Sequence, residues 1–267
     1  MKQLLTYFLL AYFISWIIWL PLYGHIFGLT NLPTLPYHHA IGGLGPLMAS
    51  FITTWIFLKK DGLKKLLKKC FQIKPLIYLA IALLSPFILA FVAMVMSYII
   101  NNTPINFSGL FSTKEFPQFS LFTFFIYNLL FFGFGEEVGW RGFALPRLQI
   151  KMNALTASIL LTLFWALWHL PLFFYRPGYI TMEFAGIVGW IFSLLTGSIL
   201  LTWLYNSSKA GILACAIFHS TIDIAFTADT SNQNLMNYMG VLITAWGILT
   251  ILIFKPKNLA KIERQKI

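Results

Sequence analysis

Long apolar runs are the feature that most constrains this chain. A helix that crosses the hydrocarbon core of a bilayer, about 30 Å thick, needs about 20 mainly apolar residues at about 1.5 Å of rise per residue. Eight stretches meet this requirement: 4–23, 40–58, 76–100, 120–145, 154–174, 184–205, 211–228 and 236–254. The predicted fold is therefore all-α, a polytopic membrane bundle of about eight transmembrane helices.

The composition excludes several other classes of protein. Apolar residues make up 58% of the chain and charged residues 10%, whereas soluble domains have about 45–50% and about 25%. A water-soluble enzyme, a disordered tail and a collagen-like fibre are thus ruled out. The formal charge of +11 does not indicate nucleic acid as a partner, because the lysines lie in loops between the apolar runs. Cys70 and Cys215 are too few for a disulfide framework and are expected to be free.

The distribution of lysine and arginine predicts the orientation. If the N-terminus lies inside, 17 of the 19 basic residues fall in inside segments, and only Lys114 and Arg176 lie outside. Basic residues are enriched in cytoplasmic loops. We therefore expect a multi-pass protein of the plasma membrane with both termini in the cytoplasm. We also expect a single domain over 1–267, with a basic cytoplasmic tail over 255–267.

One inside loop, residues 59–74, has the pattern of a basic amphipathic helix. Its lysines lie on one helical face, and the other face carries Leu63, Leu66, Leu67, Cys70 and Phe71. Such a helix can lie on a leaflet of anionic lipid. The alternative is a solvated loop that obeys the positive-inside rule without lipid specificity.

A few ionisable residues lie within the predicted spans. Each costs about 2.5–3.5 kcal/mol at the centre of a membrane helix on insertion scales, so each is a candidate functional residue. They are Glu136, Glu137, Arg141, His169, His219 and Asp223. The outer-loop histidines, by contrast, are expected to be solvated: His25, His38 and His39.

Spacing suggests how these groups meet. Glu137 and Arg141 are four residues apart, which allows an ion pair within the helix and leaves Glu136 to face elsewhere. His219 and Asp223 have the same spacing and share one helical face. We expect acids and imidazoles from three spans to meet inside the bilayer, nearer the cytoplasm.

Two chemistries fit a carboxylate with two imidazoles, and both hydrolyse an amide or ester with activated water. Glu136, His169 and His219 satisfy the ligand count of a catalytic Zn²⁺ site with an open water position. Without metal, Glu136 could serve as general base, with a histidine orienting the water and His219 with Asp223 polarising a carbonyl. His169 has no acidic neighbour in sequence to support it as a ligand, so we expect no obligatory cofactor.

Other functions use similar residues. A transporter or proton relay also buries acids and histidines, and a non-catalytic immunity or scaffold protein could retain them as contacts between helices. The sequence has no G-x-S-x-G, H-E-x-x-H or P-loop motif, so other hydrolase and NTPase mechanisms lack support.

Three motifs, over a core of residues 136–223, resemble those of the CAAX-protease and bacteriocin-processing family, also called Abi or Ras-converting-enzyme-like proteins. Its E-E-x-x-x-R pattern matches Glu136-Glu137 and Arg141, and its H-x-x-x-N/D pattern matches His219 and Asp223. Its F-x-x-x-H pattern matches the segment 165–169, although Trp165 stands where Phe is usual.

The resemblance implies an intramembrane endopeptidase, of glutamate or metallo type, with a cavity open to the cytoplasm. Its substrate would be a peptide or a membrane protein, in bacteriocin processing, self-immunity or protein maturation. Glu136 would activate water, with assistance from His169, and His219 with Asp223 would stabilise the oxyanion. Glu137 and Arg141 would support these residues.

Overall fold

The structure is a computed structural model that describes residues 1–113, 115–229 and 232–267, so Lys114 lies outside the described residues. Within these ranges the chain is helical and contains no β-strand. The principal helices are α1 (Lys2–Tyr23), α2 (Gly45–Cys70), α3 (Leu76–Asn101), α4 (Leu121–Lys151), α5 (Ala154–Trp168), α6 (Phe184–Ser207), α7 (Ile212–Thr227) and α8 (Gln233–Asn258). The all-α membrane fold is therefore confirmed, and each predicted apolar stretch corresponds to one of these helices.

Helix α7 is shorter than the other predicted spans. Seven helical segments of the described chain are long and apolar enough to cross a membrane, whereas α7 has 16 residues, or about 24 Å at about 1.5 Å per residue. Most of its residues are buried, and it packs against α3, α4 and α6. A helix enclosed by protein does not need to match the full lipid thickness, because its ends are not exposed to hydrocarbon.

The segments predicted to lie inside share one end of the bundle, here called the basic end. There Arg147 donates to the side-chain oxygen of Gln3 at 2.9 Å. At the opposite end, here called the Arg176 end, Arg176 forms a bidentate pair with Glu115. The alternation of helix direction that the sequence predicts is thus reproduced in the fold.

Helix α2 changes direction where the predicted span ends. Lys59 has φ of 52°, outside the helical region, and separates the apolar part of α2 from the basic segment, residues 59–74. Leu66 and Cys70 of this segment are buried against the bundle, whereas Leu67 and Phe71 remain exposed. Cys70 is free, as is the buried Cys215, which confirms the expectation for both cysteines.

The tail after α8 folds back onto the basic end. Gln149 and Asn206, both fully buried, exchange two side-chain hydrogen bonds of 3.0 and 2.8 Å. The same two amides bind the backbone of Gln265 at 2.7 and 2.9 Å. The predicted basic tail is therefore anchored to the fold.

Two outer histidines are also held by the fold, so the expectation that they are solvated is wrong for His38 and His39. His38 bonds through Nε2 to the carbonyl oxygen of Ile18, and Nδ1 of His39 lies 2.8 Å from the hydroxyl of Tyr175. Both histidines begin a short helix, His38–Gly43, that packs against α1. Both histidines lie next to a polar loop in the sequence, so their packing was not predicted.

Candidate active site

The site is built around an irregular stretch of α4. The helix is π-helical over Leu129–Phe134 and again over Val138–Ala144, and Gly135–Glu137 lies between these two stretches. A π turn has hydrogen bonds from residue i to i+5 and often occurs at functional sites. The two adjacent glutamates are therefore presented by a locally widened helix.

Two glycines allow neighbouring helices to approach this stretch closely. A Cβ atom at Gly139 would lie 2.4 Å from the hydroxyl oxygen of Tyr7 in α1. A Cβ atom at Gly133 would lie 2.6 Å from the carbonyl oxygen of Ala216 in α7. Any larger residue would push α4 away from these helices, so both glycines help to bring the glutamates towards α7.

The predicted ion pair between Glu137 and Arg141 is present. Nη1 of Arg141 lies 3.0 Å from Oε1 of Glu137, and both side chains are fully buried. Nη2 of Arg141 donates to the hydroxyl of Ser198 in α6 at 3.0 Å. Oε1 of Glu137 also lies 2.8 Å from Nδ1 of His219. Sequence spacing missed this last contact, which connects the ion pair to the histidine of α7.

Glu136 points away from the ion pair, as expected, and is bound by two indole groups. Its Oε2 accepts hydrogen bonds from Nε1 of Trp165 at 2.7 Å and from Nε1 of Trp140 at 3.3 Å. Its other oxygen, Oε1, lies 4.0 Å from Nε2 of His219. Glu136 is 4% exposed. One carboxylate oxygen is thus held by donors, while the other faces His219.

His219 and Asp223 share one face of α7, as predicted. Nε2 of His219 lies 3.6 Å from Oδ2 of Asp223. The Asp223 side chain is 35% exposed, whereas the His219 side chain is 8% exposed. Of these two side chains, Asp223 is therefore the more accessible from outside the bundle.

His169 follows the last residue of α5 and joins the cluster through Trp165. Its Nδ1 lies 2.7 Å from the backbone oxygen of Trp165, and because that oxygen only accepts, the ring nitrogen is the donor. The Trp165 ring contacts both imidazoles, with centroid distances of 5.7 Å to His169 and 5.6 Å to His219. Tyr179 and Trp190, which the sequence did not single out, pack on the His169 ring.

The six predicted residues thus form one connected cluster. Glu136 is midway along α4, His169 follows the Arg176 end of α5, and Asp223 lies four residues before the end of α7 at that same end. From Glu136 the cluster extends to His169 and Asp223 towards the Arg176 end, and to Arg141 towards the basic end. His169 lies farthest from the basic end because α5 carries it across the whole bundle, and the position of the site relative to the cytoplasm stays a prediction.

The imidazoles and carboxylates of the cluster are residue types that can bind a metal ion. Both imidazoles have an acceptor at Nδ1, the oxygen of Trp165 for His169 and Glu137 for His219, an arrangement that metal-binding histidines also use. No group of three His, Cys, Asp or Glu side chains in the described parts of the chain is placed to hold a metal ion, however. The arrangement of the described residues does not fit a metal site.

Comparisons with known proteins agree with the motifs. A family model described as type II CAAX prenyl endopeptidase Rce1-like matches residues 118–225. The chain is 30% identical over 249 residues to CAAX prenyl protease 2 of Methanococcus maripaludis, an alignment that covers 84% of this chain and 86% of that protein. The range matched by the family model contains all three motifs.

Proposed function

The chain belongs to the Rce1-like family of type II CAAX prenyl endopeptidases and is therefore a membrane endopeptidase, and from this premise we propose that Glu136 activates the water that hydrolyses the peptide bond. The observation that carries the proposal is the asymmetry of the Glu136 carboxylate. Two indole groups bind Oε2, and Oε1 is directed towards His219 at 4.0 Å.

In the proposed reaction, Oε1 of Glu136 takes a proton from water while the water oxygen adds to the carbonyl carbon of the peptide bond. The carbonyl oxygen becomes an oxyanion. Glu136 then gives the proton to the amide nitrogen, and the bond between carbon and nitrogen breaks to release a carboxylic acid and an amine. A positioned carboxylate that accepts and returns a proton contributes about 10²–10⁴-fold to such a reaction.

His219 is the proposed oxyanion donor. Its Nδ1 donates to Glu137, since a carboxylate oxygen only accepts, so its Nε2 can donate as well only when the ring is an imidazolium. The carboxylates of Glu137, Asp223 and Glu136 lie at 2.8, 3.6 and 4.0 Å from its ring nitrogens. With these three carboxyl groups around the ring, the imidazolium is the form that can donate to the developing oxyanion.

His169 is proposed to assist Glu136. Its Nδ1 donates to the backbone oxygen of Trp165 at 2.7 Å, which fixes the ring and leaves Nε2 as an acceptor when the ring is neutral. An acceptor at this position can orient a water molecule for attack. The packing of Tyr179 and Trp190 on the ring restricts its movement.

A reconstituted protein tests the central assignment. Native protein and Glu136→Gln are placed in proteoliposomes with a peptide library that includes a prenylated CAAX peptide and its unprenylated counterpart. We expect cleavage by the native protein and none by Glu136→Gln at equal insertion. Glu263→Gln, at an exposed position in the tail, is the matched control and should retain activity. Full activity of Glu136→Gln would contradict the proposal.

The substrate is proposed to be a peptide or a membrane protein. The relative from Methanococcus maripaludis is named CAAX prenyl protease 2, and the motifs resemble those of a family that also serves in bacteriocin processing, self-immunity and protein maturation. Cleavage of only the prenylated CAAX peptide would assign the first role, and cleavage of peptides without a prenyl group would favour the others. A non-catalytic immunity or scaffold role is less favoured, because all six polar motif residues are present.

For orientation, we propose that the basic end faces the cytoplasm and that the protein resides in the plasma membrane. Access to the site from the cytoplasm, which the family resemblance implies, is a separate proposal, because the partly exposed Asp223 lies towards the Arg176 end. An impermeant peptide substrate distinguishes the two sides. Cleavage by inverted vesicles would indicate cytoplasmic access, and cleavage by right-side-out vesicles would contradict it.

The basic segment, residues 59–74, is proposed to bind anionic lipid. Its exposed Leu67 and Phe71 can enter the leaflet while exposed lysines, including Lys64 and Lys68, approach the headgroups. Nanodiscs of anionic and of zwitterionic lipid provide the test. Enrichment of anionic lipid around the native protein, lost in a Lys64→Gln and Lys68→Gln variant, is expected, and equal enrichment in both proteins would contradict the proposal.

A further inference from the structure

Trp165 stands at the position of the middle motif where the family usually has Phe. Unlike Phe, it carries an indole N–H. Its indole N–H donates to Oε2 of Glu136 at 2.7 Å. We propose that Trp165 is a positioning residue: its N–H holds Oε2 of Glu136 and so directs Oε1 to the water. This inference rests on the proposed function of Glu136 and adds a residue that the family pattern does not supply.

The hydrogen bond connects two helices. Trp140, the other donor to Oε2, is in α4 like Glu136 itself, and its distance of 3.3 Å lies beyond the usual range of about 2.7–3.2 Å. Trp165 belongs to α5 and makes the shorter contact. Trp165 is therefore the stronger donor, and it fixes the carboxylate relative to the helix that leads to His169.

Few other groups near Glu136 can fix the orientation of its carboxylate. The nearby guanidinium of Arg141 is bound to Glu137 and to Ser198. The imidazole nitrogen of His219 that faces Glu136 is 4.0 Å away. Without the indole of Trp165, only the longer contact with Trp140 would hold Oε2, and the carboxylate could more readily turn its other oxygen to His219.

Trp165 also contacts the other members of the site, but not through its N–H. Its backbone oxygen accepts from His169, and its ring lies against His219 and 4.8 Å from the guanidinium carbon of Arg141. A phenylalanine retains the backbone oxygen and an aromatic ring at this position. Trp165→Phe therefore removes the N–H while largely preserving the remaining contacts.

The first test compares Trp165→Phe with Trp203→Phe in the peptidase assay. Trp203 is also buried, and its Nε1 has no hydrogen-bond partner among the described residues, so it is a matched control. Loss of one hydrogen bond to a charged group predicts a fall in kcat of about 10- to 10²-fold. KM should be unchanged, because the N–H does not contact the substrate. Trp203→Phe should retain its kcat.

Two outcomes would overturn the inference. One is a native kcat in Trp165→Phe, and the other is a raised KM with kcat unchanged, which would indicate a role in substrate binding. Either result, with Glu136→Gln still inactive, would leave the proposed function standing. An active Glu136→Gln would instead refute the proposed function itself.

A spectroscopic measurement covers the case in which Trp165→Phe does not fold. The protein is labelled with ¹⁵N at the tryptophan indoles, and the indole N–H resonances are compared between the native protein and Glu136→Gln. Because a carboxylate is a stronger acceptor than an amide, one strongly downfield resonance should move upfield in the variant. Resonances that all stay in place would overturn the inference.

Discussion

Glu137 and His219 are joined by a hydrogen bond of 2.8 Å, from Nδ1 of the imidazole to Oε1 of the carboxylate. The same oxygen accepts from Arg141 at 3.0 Å. Glu137 therefore connects a fully buried ion pair to the histidine that we propose as oxyanion donor. Its contribution extends beyond the stability of α4.

The first prediction separates these two contributions of Glu137. Arg141→Ala leaves the carboxylate buried without its cation, and breaking a buried pair costs about 3–5 kcal/mol. We expect little protein in the membrane fraction. Arg141→Ala combined with Glu137→Gln should restore much of the abundance, because Glu137 is then no longer a charge without a partner. Activity should stay low, because Nδ1 of His219 has lost the carboxylate that it binds.

Immunoblots of membranes and peptidase assays per mole of protein measure both effects. Normal abundance and full activity of Arg141→Ala alone would contradict the structural role. Native activity of the double variant would contradict the link to His219.

The second prediction concerns Asp223, which lies 3.6 Å from Nε2 of His219. Asp223→Ala should reduce kcat by about 10²–10³-fold, the usual cost of losing an oxyanion-hole group. Asp223→Asn should retain most activity, since an amide can still orient the imidazole. His219→Ala and His169→Ala should each abolish cleavage while the protein remains inserted. Equal losses in Asp223→Ala and Asp223→Asn would show that charge, rather than orientation, is needed.

Much of this site follows from local spacing. The pairs Glu137–Arg141 and His219–Asp223 were predictable because a separation of four residues places side chains on one helical face. The contacts of Glu136 with Trp165 and of Glu137 with His219 were not, because they depend on how α4, α5 and α7 pack. The π turns of α4 also change the direction of each glutamate, and no pattern in the sequence marks them.

The fold also has features that the sequence predicts and features that depend on packing. The apolar runs predicted every principal helix and the point near Lys59 where α2 leaves the membrane direction. The bond of His39 to Tyr175 and the docking of Gln265 on Asn206 depend on contacts between segments far apart in sequence. Hydropathy measures each segment by itself and therefore does not detect them.

The third prediction concerns topology. In a background with Cys70→Ser and Cys215→Ser, Asn102→Cys and Lys151→Cys place single thiols at exposed positions of opposite ends. An impermeant maleimide should label Asn102→Cys in intact cells and label Lys151→Cys only after permeabilisation. Labelling of both from the same side would contradict the fold. Labelling of Lys151→Cys, but not of Asn102→Cys, in intact cells would indicate the opposite orientation.

The fourth prediction concerns metal dependence. No group of three His, Cys, Asp or Glu side chains among the described residues is placed to hold a metal ion, so we expect protein purified in the presence of a chelator to retain its activity. Metal content and peptidase activity would be measured on the same sample. Stoichiometric zinc, with activity lost on chelation and regained on addition of zinc, would contradict the metal-free mechanism.

The π turns of α4 also affect how this helix tolerates changes in length. Deletion of one residue from a regular membrane helix rotates all that follows by about 100°, which moves a protein-facing side towards lipid. A π turn already accommodates one residue more than an α turn. Loss of one residue from Leu129–Phe134 can therefore be absorbed by a return to α-helical bonding, with Leu121 and Glu136 still on their present faces. This segment of α4 can thus lose a residue during evolution without rotating the rest of the helix. Helix α5 is regular throughout, so the same loss there would rotate the residues that follow.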